Sequence, residues 1–372
     1  MGKFIFSLII LGFLWIGSPY ARAGILDGII DEPIDKCIWI FDGLTYASRF
    51  KKVSGQTEAA EQESLKETVQ DLRNVKMRNA TTSPLVADYI KKHPVYVSLT
   101  TSPARVDKII NVLKTLDLSV IEEIIVALPE RFGRDGSTYT IPDELAHFPK
   151  VKILRPAFDI GPATKLVPAV EYVKQKENNG LVVTIDDDHG YPKTMLSELI
   201  SAAAVNPGAV VGGSGQRLTF WNLKKASVFD ANLKYTGKKP YDDVRLTPVD
   251  VIEGFGAIAY PSELVDTDLI RRWSAMSKEA KTSDDMVISM SLAVHSVPRF
   301  RFHSPYYSLG EIIPFHYGTG ADALHRGAGL DKPMLAMHFN KSKYEVTYEE
   351  VLRDLGCRPS LSDDFISLFS CN

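Results

Sequence analysis

Cysteine is scarce in this chain: Cys37, Cys357 and Cys371 are the only three in 372 residues. At most one intramolecular disulfide is therefore available, and the pair close in sequence, Cys357 and Cys371, can bridge a C-terminal hairpin or helix–loop, with Cys37 left over. Excess positive charge is also missing. The formal net charge is −3, which removes the electrostatic case for a nucleic-acid partner. No internal repeat is visible. The apolar stretch from Phe4 to Ile16 is 13 residues long, short of the roughly 20 that a membrane-spanning helix needs.

With 372 residues the chain can bury one large core, or a domain plus an appendage. Its 45% hydrophobic and 24% charged residues are those of an ordinary globular protein. Lys3, the apolar stretch after it and the small-x-small run Ala21-Arg22-Ala23 follow the layout of a secretory signal peptide over residues 1–23. An uncleaved type II anchor is the alternative, and either arrangement takes the body of the protein out of the cytosol. Asn79-Ala80-Thr81 and Asn340-Lys341-Ser342 are glycosylation sequons, which matter only in a eukaryotic host.

The chemistry concentrates in one stretch. Leu181-Val182-Val183-Thr184-Ile185 reads as a short strand buried on both faces, and it runs directly into Asp186-Asp187-Asp188-His189-Gly190. Three carboxylates at a strand end repel one another, and burying an unpaired one costs several kcal/mol or roughly more. A cation at the C-terminal edge of a parallel sheet resolves that conflict. Alternate side chains of an extended segment share a face, so Asp186 and Asp188 point to one metal and Asp187 away. Hard oxygen ligands suit Mg²⁺ or Mn²⁺. A solvated acidic turn before a helix at Pro192 would spell the same letters.

This stretch resembles the Asp-x-Asp motif of GT-A-fold glycosyltransferases, the enzymes that use nucleotide-diphosphate sugars. The resemblance spans roughly residues 94 to 340 and rests on motif order. It implies an α/β fold: a GT-A-like, doubly wound, mostly parallel sheet flanked by helices. The expected organisation is a leader over 1–23, a stem or cover with an amphipathic helix over 24–92, a catalytic domain over 93–342 and a helical tail over 343–372. Leu65, Val69, Leu72 and Val75 keep helical spacing in the stem.

Further along, Val95 to Thr100 is a strand, and Ser102-Pro103 starts a helix running to about Leu116. The loop at the end of a first parallel strand is where a nucleotide base or ribose rests, which makes Thr101 and Arg105 candidates; Arg105 also fits a solvated helix position. Ile124–Leu128 and Val151–Leu154 are the next strands. Asp159-Ile160-Gly161-Pro162-Ala163-Thr164-Lys165 then opens a helix lasting to about Lys176. Its free N–H groups attract anions, and a lysine in that first turn opposes the dipole unless an anion is bound nearby. By the resemblance, Asp159, Gly161 and Lys165 belong to the nucleotide site, together with Asp186 and Asp187. A plain helix cap with a surface lysine is the other reading.

Pro192 to Val205 reads as a helix, Ala209–Val211 and Leu218–Trp221 as strands, and residues 222–248 as a polar loop near the acceptor. Val251 to Tyr260 is a strand in which Gly254 and Gly256 either admit a ligand close to the backbone or form a bulge; Glu253 can meet sugar hydroxyls. Asp284 and Asp285 head a helix capped by Ser283 or Thr282 and running to about His295. Dipole stabilisation accounts for acids there at about 0.3–1 kcal/mol each. The pair also resembles the Glu/Asp-Asp that holds the acceptor hydroxyl in GT-A enzymes. That implies Asp285 as catalytic base, with Asp284 beside it in place of a longer Glu. The same resemblance implies a further metal ligand from a C-terminal histidine, with His316, His325 and His338 as choices and His316 taken with Asp186 and Asp188.

The function so implied is metal-dependent transfer of a sugar from a nucleotide-diphosphate donor to a hydroxyl of a glycan, protein or lipid acceptor, with Mn²⁺ or Mg²⁺ as cofactor. Two alternatives stand beside it. An exported carbohydrate-binding or catalytically inactive protein fits the leader, since nucleotide sugars are scarce outside the cytosol. A nucleotidyltransferase fits poorly, because the loop from Thr100 to Arg105 lacks glycine.

Overall fold

Apolar, β-branched runs too short for a helix of any length pair side by side and take helices on both faces. In the computed structural model, which describes residues 84–176, 179–216, 245–303, 313–314, 343–359 and 369–371, four such runs form the parallel half of one sheet. They are β1 (Val95–Thr100), β2 (Glu123–Ala127), β3 (Val151–Leu154) and β4 (Leu181–Thr184), lying side by side as β3-β2-β1-β4. Their register places Leu99 opposite Val126 and Val97 opposite Val183. After the two-residue β5 (His189–Gly190), the sheet continues with β6 (Val210–Gln216), β7 (Arg245–Pro248), β8 (Val251–Pro261) and β9 (Arg299–His303). The full order is β3-β2-β1-β4-β8-β6-β9-β7. Strand β8 is antiparallel to both β4 and β6, β9 is parallel to β6, and β7 is antiparallel to β9. This is the α/β arrangement expected, a mostly parallel sheet flanked by helices.

The period of two along each strand divides the core into two layers. Val95, Val97, Leu99, Ile124, Val126, Leu181 and Val183 face one layer, while Tyr96, Ile125 and Val182 face the other. Helices α1 (Pro84–Lys92), α2 (Ile109–Leu113) and α3 (Asp143–Ala146) come before α4 (Val167–Gln175) and α5 (Met195–Ala204). Leu113 of α2 and Leu196 and Leu199 of α5 cover the first face; Val167 and Val170 of α4 cover the second. Also on the second face are α6 (Thr267–Ser274), α7 (Lys278–Lys281) and α8 (Asp284–Val294), through Ile270, Trp273, Ala280, Met286 and Met290. Each large apolar side chain so buried contributes about 1.5–3 kcal/mol.

Several elements differ from the sequence expectation. The helix expected from Pro103 to Leu116 is broken into a 3₁₀ turn, Pro103–Arg105, and the short α2. The tight turn carries Arg105 inward, where it is 2% exposed, so it is not a solvated helix residue. Gly161–Lys165 is likewise a 3₁₀ turn leading into α4. Arg245–Pro248, within the span read as loop, is a strand because β9 offers it a partner; its proline is tolerated at the sheet edge. Ser283 makes no side-chain cap at the head of α8.

Helix α1, inside the span read as stem, packs Tyr89 into the first core layer. In the span read as a helical tail, α9 (Lys343–Leu355) is the helical part among the described residues, and it buries Tyr348, Val351 and Leu352 in the second layer. With β10 (Ile313–Pro314) paired to β5, the last strands are β11 (Cys357–Pro359) and β12 (Phe369–Cys371), a hairpin joined by the Cys357–Cys371 disulfide. Replacing Cys357 by Ser should lower unfolding stability by about 2–3 kcal/mol. A urea-midpoint comparison with oxidised and reduced wild type checks this; an unchanged midpoint refutes it. The leader, the helix expected within 51–79, both sequons, Cys37, the strand 218–221, nearly all of the 222–248 loop and His316, His325 and His338 lie outside the described residues. Among the described residues, no helix is long and apolar enough to cross a membrane.

Candidate active site

Strand β4 ends at Thr184, and the acidic run emerges at the C-terminal edge shared by β1, β2 and β3. Asp187 turns inward and is 7% exposed. Thr101 Oγ1 donates to its Oδ2 at 2.6 Å and Arg105 Nη1 donates to its Oδ1 at 2.9 Å. Burial, then the charge of Asp188, push the Asp187 carboxyl up to about 6, against the pull of Arg105 and Thr101. Thr101 and Arg105, expected at the nucleotide, are thus engaged in holding the acidic turn, since a buried carboxylate needs a cation and donors. Arg105 also reaches Asp188 Oδ2 at 3.2 Å.

Asp186 and Asp188 are partly exposed where Asp187 is buried. Asp186, Asp188 and His189 each offer a ligand atom, all within 4.8 Å of one another. Strict alternation would send His189 away from Asp188. The chain instead turns at residues 187–188, and neighbouring side chains converge, with His189 Nδ1 2.6 Å from Asp188 Oδ1. Burial opposes a charge on this imidazole, but the hydrogen bond and charge of Asp188, with Asp186 and Asp187 behind it, raise its pKa. Among the described residues, His189 is the histidine whose ring could serve a metal with Asp186 and Asp188; His316, expected in that place, lies outside them. Pro314, two residues before His316, pairs with His189 across β10 and β5.

A second acidic pair joins this cluster through Lys165. Its Nζ lies 2.7 Å from Asp186 Oδ1 and 3.5 Å from Asp284 Oδ2. Ser98 Oγ, on β1, donates to the Lys165 carbonyl at 2.5 Å and fixes the base of the side chain. Burial disfavours the ammonium, but Asp186, Asp284 and Asp285 outweigh it and raise its pKa well above the usual lysine value. Asp285 Oδ1 accepts from the Gly254 N–H at 2.9 Å. Burial first, then the charge of Asp284, drive its carboxyl up to about 8, against the lowering effect of Lys165.

Strand β8 shapes the space between the two pairs. Its register against β6 jumps from Gly212–Ile258 to Ser214–Glu253, so residues 254–257 bulge out of the ladder. Gly256 passes so close to the Gly213 backbone that no Cβ fits between them, and Ala257 takes a φ of 60°. The bulge reading of these glycines thus holds for Gly256. Gly254 has a different reason: a Cβ there would lie 2.6 Å from Lys165 Nζ. Tyr191 Oη links the bulge to the acidic run, accepting from the Asp186 N–H at 2.9 Å and donating to the Phe255 carbonyl at 3.4 Å. Glu253 accepts from Ser214 Oγ at 2.7 Å.

Asp159 and Gly161 play a structural part. Asp159 accepts from the Gly133 N–H at 2.6 Å, the Gly161 N–H at 2.7 Å and Thr164 Oγ1 at 3.3 Å, tying two loops together. Gly161 has a φ of 72°, and a Cβ there would run into the Lys281 carbonyl. A shallow cavity of about 420 Å³ is lined by Glu130, Arg131, Phe132, Phe158 and Asp159 among others, and by none of the three acids after β4. Phe158 is 76% exposed.

Five carboxyl groups, Asp186, Asp187, Asp188, Asp284 and Asp285, are thus gathered around Arg105 and Lys165. Asp186, Asp188 and His189 supply two carboxylates and an imidazole, a donor set that fits a divalent ion.

No protein-family model matches the chain, and no curated protein matches it. Among solved structures, the crystal structure of GalNAc-T7 with UDP, GalNAc and Mn²⁺ is similar at a TM-score of 0.35 and 12% identity, covering 70% of this chain. The match spans 57% of that protein's chain.

Proposed function

We propose that this protein is a metal-dependent glycosyltransferase that moves a sugar from a nucleotide-diphosphate donor to an acceptor hydroxyl. One observation carries the reading: the acidic run after β4 and the acidic head of α8, about a hundred residues apart, meet at one ammonium, with Asp186 on one side of Lys165 Nζ and Asp284 on the other. Asp186, Asp188 and His189 would hold Mn²⁺, which when bound supplies charge neutralisation for a departing diphosphate. Asp285 takes the proton of the acceptor hydroxyl as its oxygen bonds to the anomeric carbon and the bond to the diphosphate breaks. Lys165 Nζ links the two acidic groups, 2.7 Å from Asp186 Oδ1 and 3.5 Å from Asp284 Oδ2. The cavity beside Asp159, with Phe158 exposed at its wall, suits the nucleoside.

Export belongs to the same proposal. The Cys357–Cys371 bridge persists in oxidising compartments and supports the reading of residues 1–23 as a leader. The acceptor would then be a glycan, protein or lipid met outside the cytosol.

Calorimetric titration with UDP and GDP, in Mn²⁺ and in EDTA, tests the function. Nucleotide binding that requires Mn²⁺ is the expected result. Binding of free sugar without nucleotide or metal would replace the enzyme by a carbohydrate-binding protein.

A further inference from the structure

Lys165 is only 7% exposed, yet its amine lies among carboxylates that a metal site would claim. Its Nζ is 2.7 Å from Asp186 Oδ1, and Asp186 is one of the three residues whose ligand atoms cluster within 4.8 Å. A divalent ion coordinating that carboxylate would sit against the ammonium, and two cations so close repel. The lysine has somewhere else to go. Asp284 Oδ2 is already 3.5 Å away, and Asp285 follows it at the head of the same helix. Its main chain is anchored by Ser98, so only the flexible stem needs to move. Gly254 leaves open the space next to the amine, where any side chain would lie within 2.6 Å of it.

We propose that Lys165 is the resting counter-ion of the metal site: it holds Asp186 before the ion arrives, yields that carboxylate to the ion and turns to Asp284 and Asp285. This rests on the metal-dependent reading above. Entry of the ion thereby delivers a positive charge to the acids beside the acceptor, so that the two halves of the site are coupled through one side chain. Lys165 is a positioning residue in this role, competing with the ion rather than assisting it.

The test is Mn²⁺ titration without nucleotide, by calorimetry, of wild type, Lys165→Met and Lys165→Arg. Removing the competing charge should tighten Mn²⁺ binding by about tenfold, within the usual range of coupling between two ligands. Lys165→Arg, which keeps the charge, should stay within about threefold of wild type. A folded Lys165→Met that binds Mn²⁺ equally or more weakly overturns the proposal, since a merely structural lysine would leave a damaged site. Should that variant not fold, a crystal structure of wild type with Mn²⁺ decides: Nζ beyond hydrogen-bonding distance of Asp186 supports displacement, and an intact contact refutes it. Wild type that binds no Mn²⁺ at all would sink the metal-dependent reading and this inference together, whereas binding without the tightening sinks this inference alone.

Discussion

Asp188→Ala is expected to abolish measurable Mn²⁺ binding and to lower sugar transfer by about a thousandfold or more, because a metal in this position supplies several kcal/mol of charge stabilisation. Asp188 is the member of the cluster that touches both other elements: His189 Nδ1 lies 2.6 Å from its Oδ1 and Arg105 Nη1 3.2 Å from its Oδ2. Removing it takes away one ligand and the group that orients another. The fold should survive, since Arg105 keeps its bond to Asp187 at 2.9 Å and the strand is unchanged. Circular dichroism and melting close to wild type, with no Mn²⁺ heat and no transfer, is the predicted pattern. Transfer retained at more than a tenth of wild type would end the metal-dependent mechanism.

Asp285→Asn should reduce kcat by about 10²–10⁴-fold, the usual contribution of a positioned base, while nucleotide binding is kept. The amide is the same shape and its oxygen still accepts from the Gly254 N–H. The pH profile separates a base from a structural carboxyl. Burial and Asp284 hold the Asp285 carboxyl up to about 8 in the metal-free protein, so the active carboxylate form grows as pH rises. Wild-type kcat should climb with unit slope and level off at or below about pH 8, since a bound cation pulls the value down; the Asn variant should be flat. The same group has an opposite effect on stability. An acid whose folded pKa is raised retains a proton that the unfolded chain has lost, so it favours the folded state less as pH rises from about 4 towards 8. The metal-free protein should therefore lose stability across that window, and Asp285→Asn should lose less. A variant with the wild-type pH profile would assign the proton to another group.

Much of this site was legible before folding, for reasons that differ by residue. Asp186 and Asp188 could be singled out because a run of three acids cannot be buried at a strand end without cations, whatever the surrounding structure. The alternation of an extended chain also separated Asp187 from the other two. Asp284 and Asp285 were legible only through resemblance, because acids in the first turn of a helix are common for dipole reasons alone. Lys165 announced itself as a cation against the dipole of its own segment, but that argument pointed to a bound anion, and the partners found are carboxylates of the chain.

The contacts that the sequence did not reveal share one cause. Thr101 and Arg105 were placed at a nucleotide because loop position suggests contact with a ligand; both are bonded to Asp187, a pairing across more than eighty residues that no local pattern encodes. Asp159 likewise ties Gly133 to Gly161. His189 stood in plain view beside Asp188, but period-two alternation sends it to the opposite face unless the chain turns there.

The linear chain by itself determined the strands β1 to β4 and β8 and which face of each is buried, because apolar, β-branched runs and their spacing mark them, whereas β7 became a strand only through its partner β9. It also determined that negative charge would gather at the end of one strand. Folding alone decided what answers that charge: Arg105 beneath Asp187, Lys165 between Asp186 and Asp284, and the Gly254 amide on Asp285 come from three separate segments, two 3₁₀ turns and strand β8. Electrostatic partners are chosen by distance in space, which a sequence does not contain.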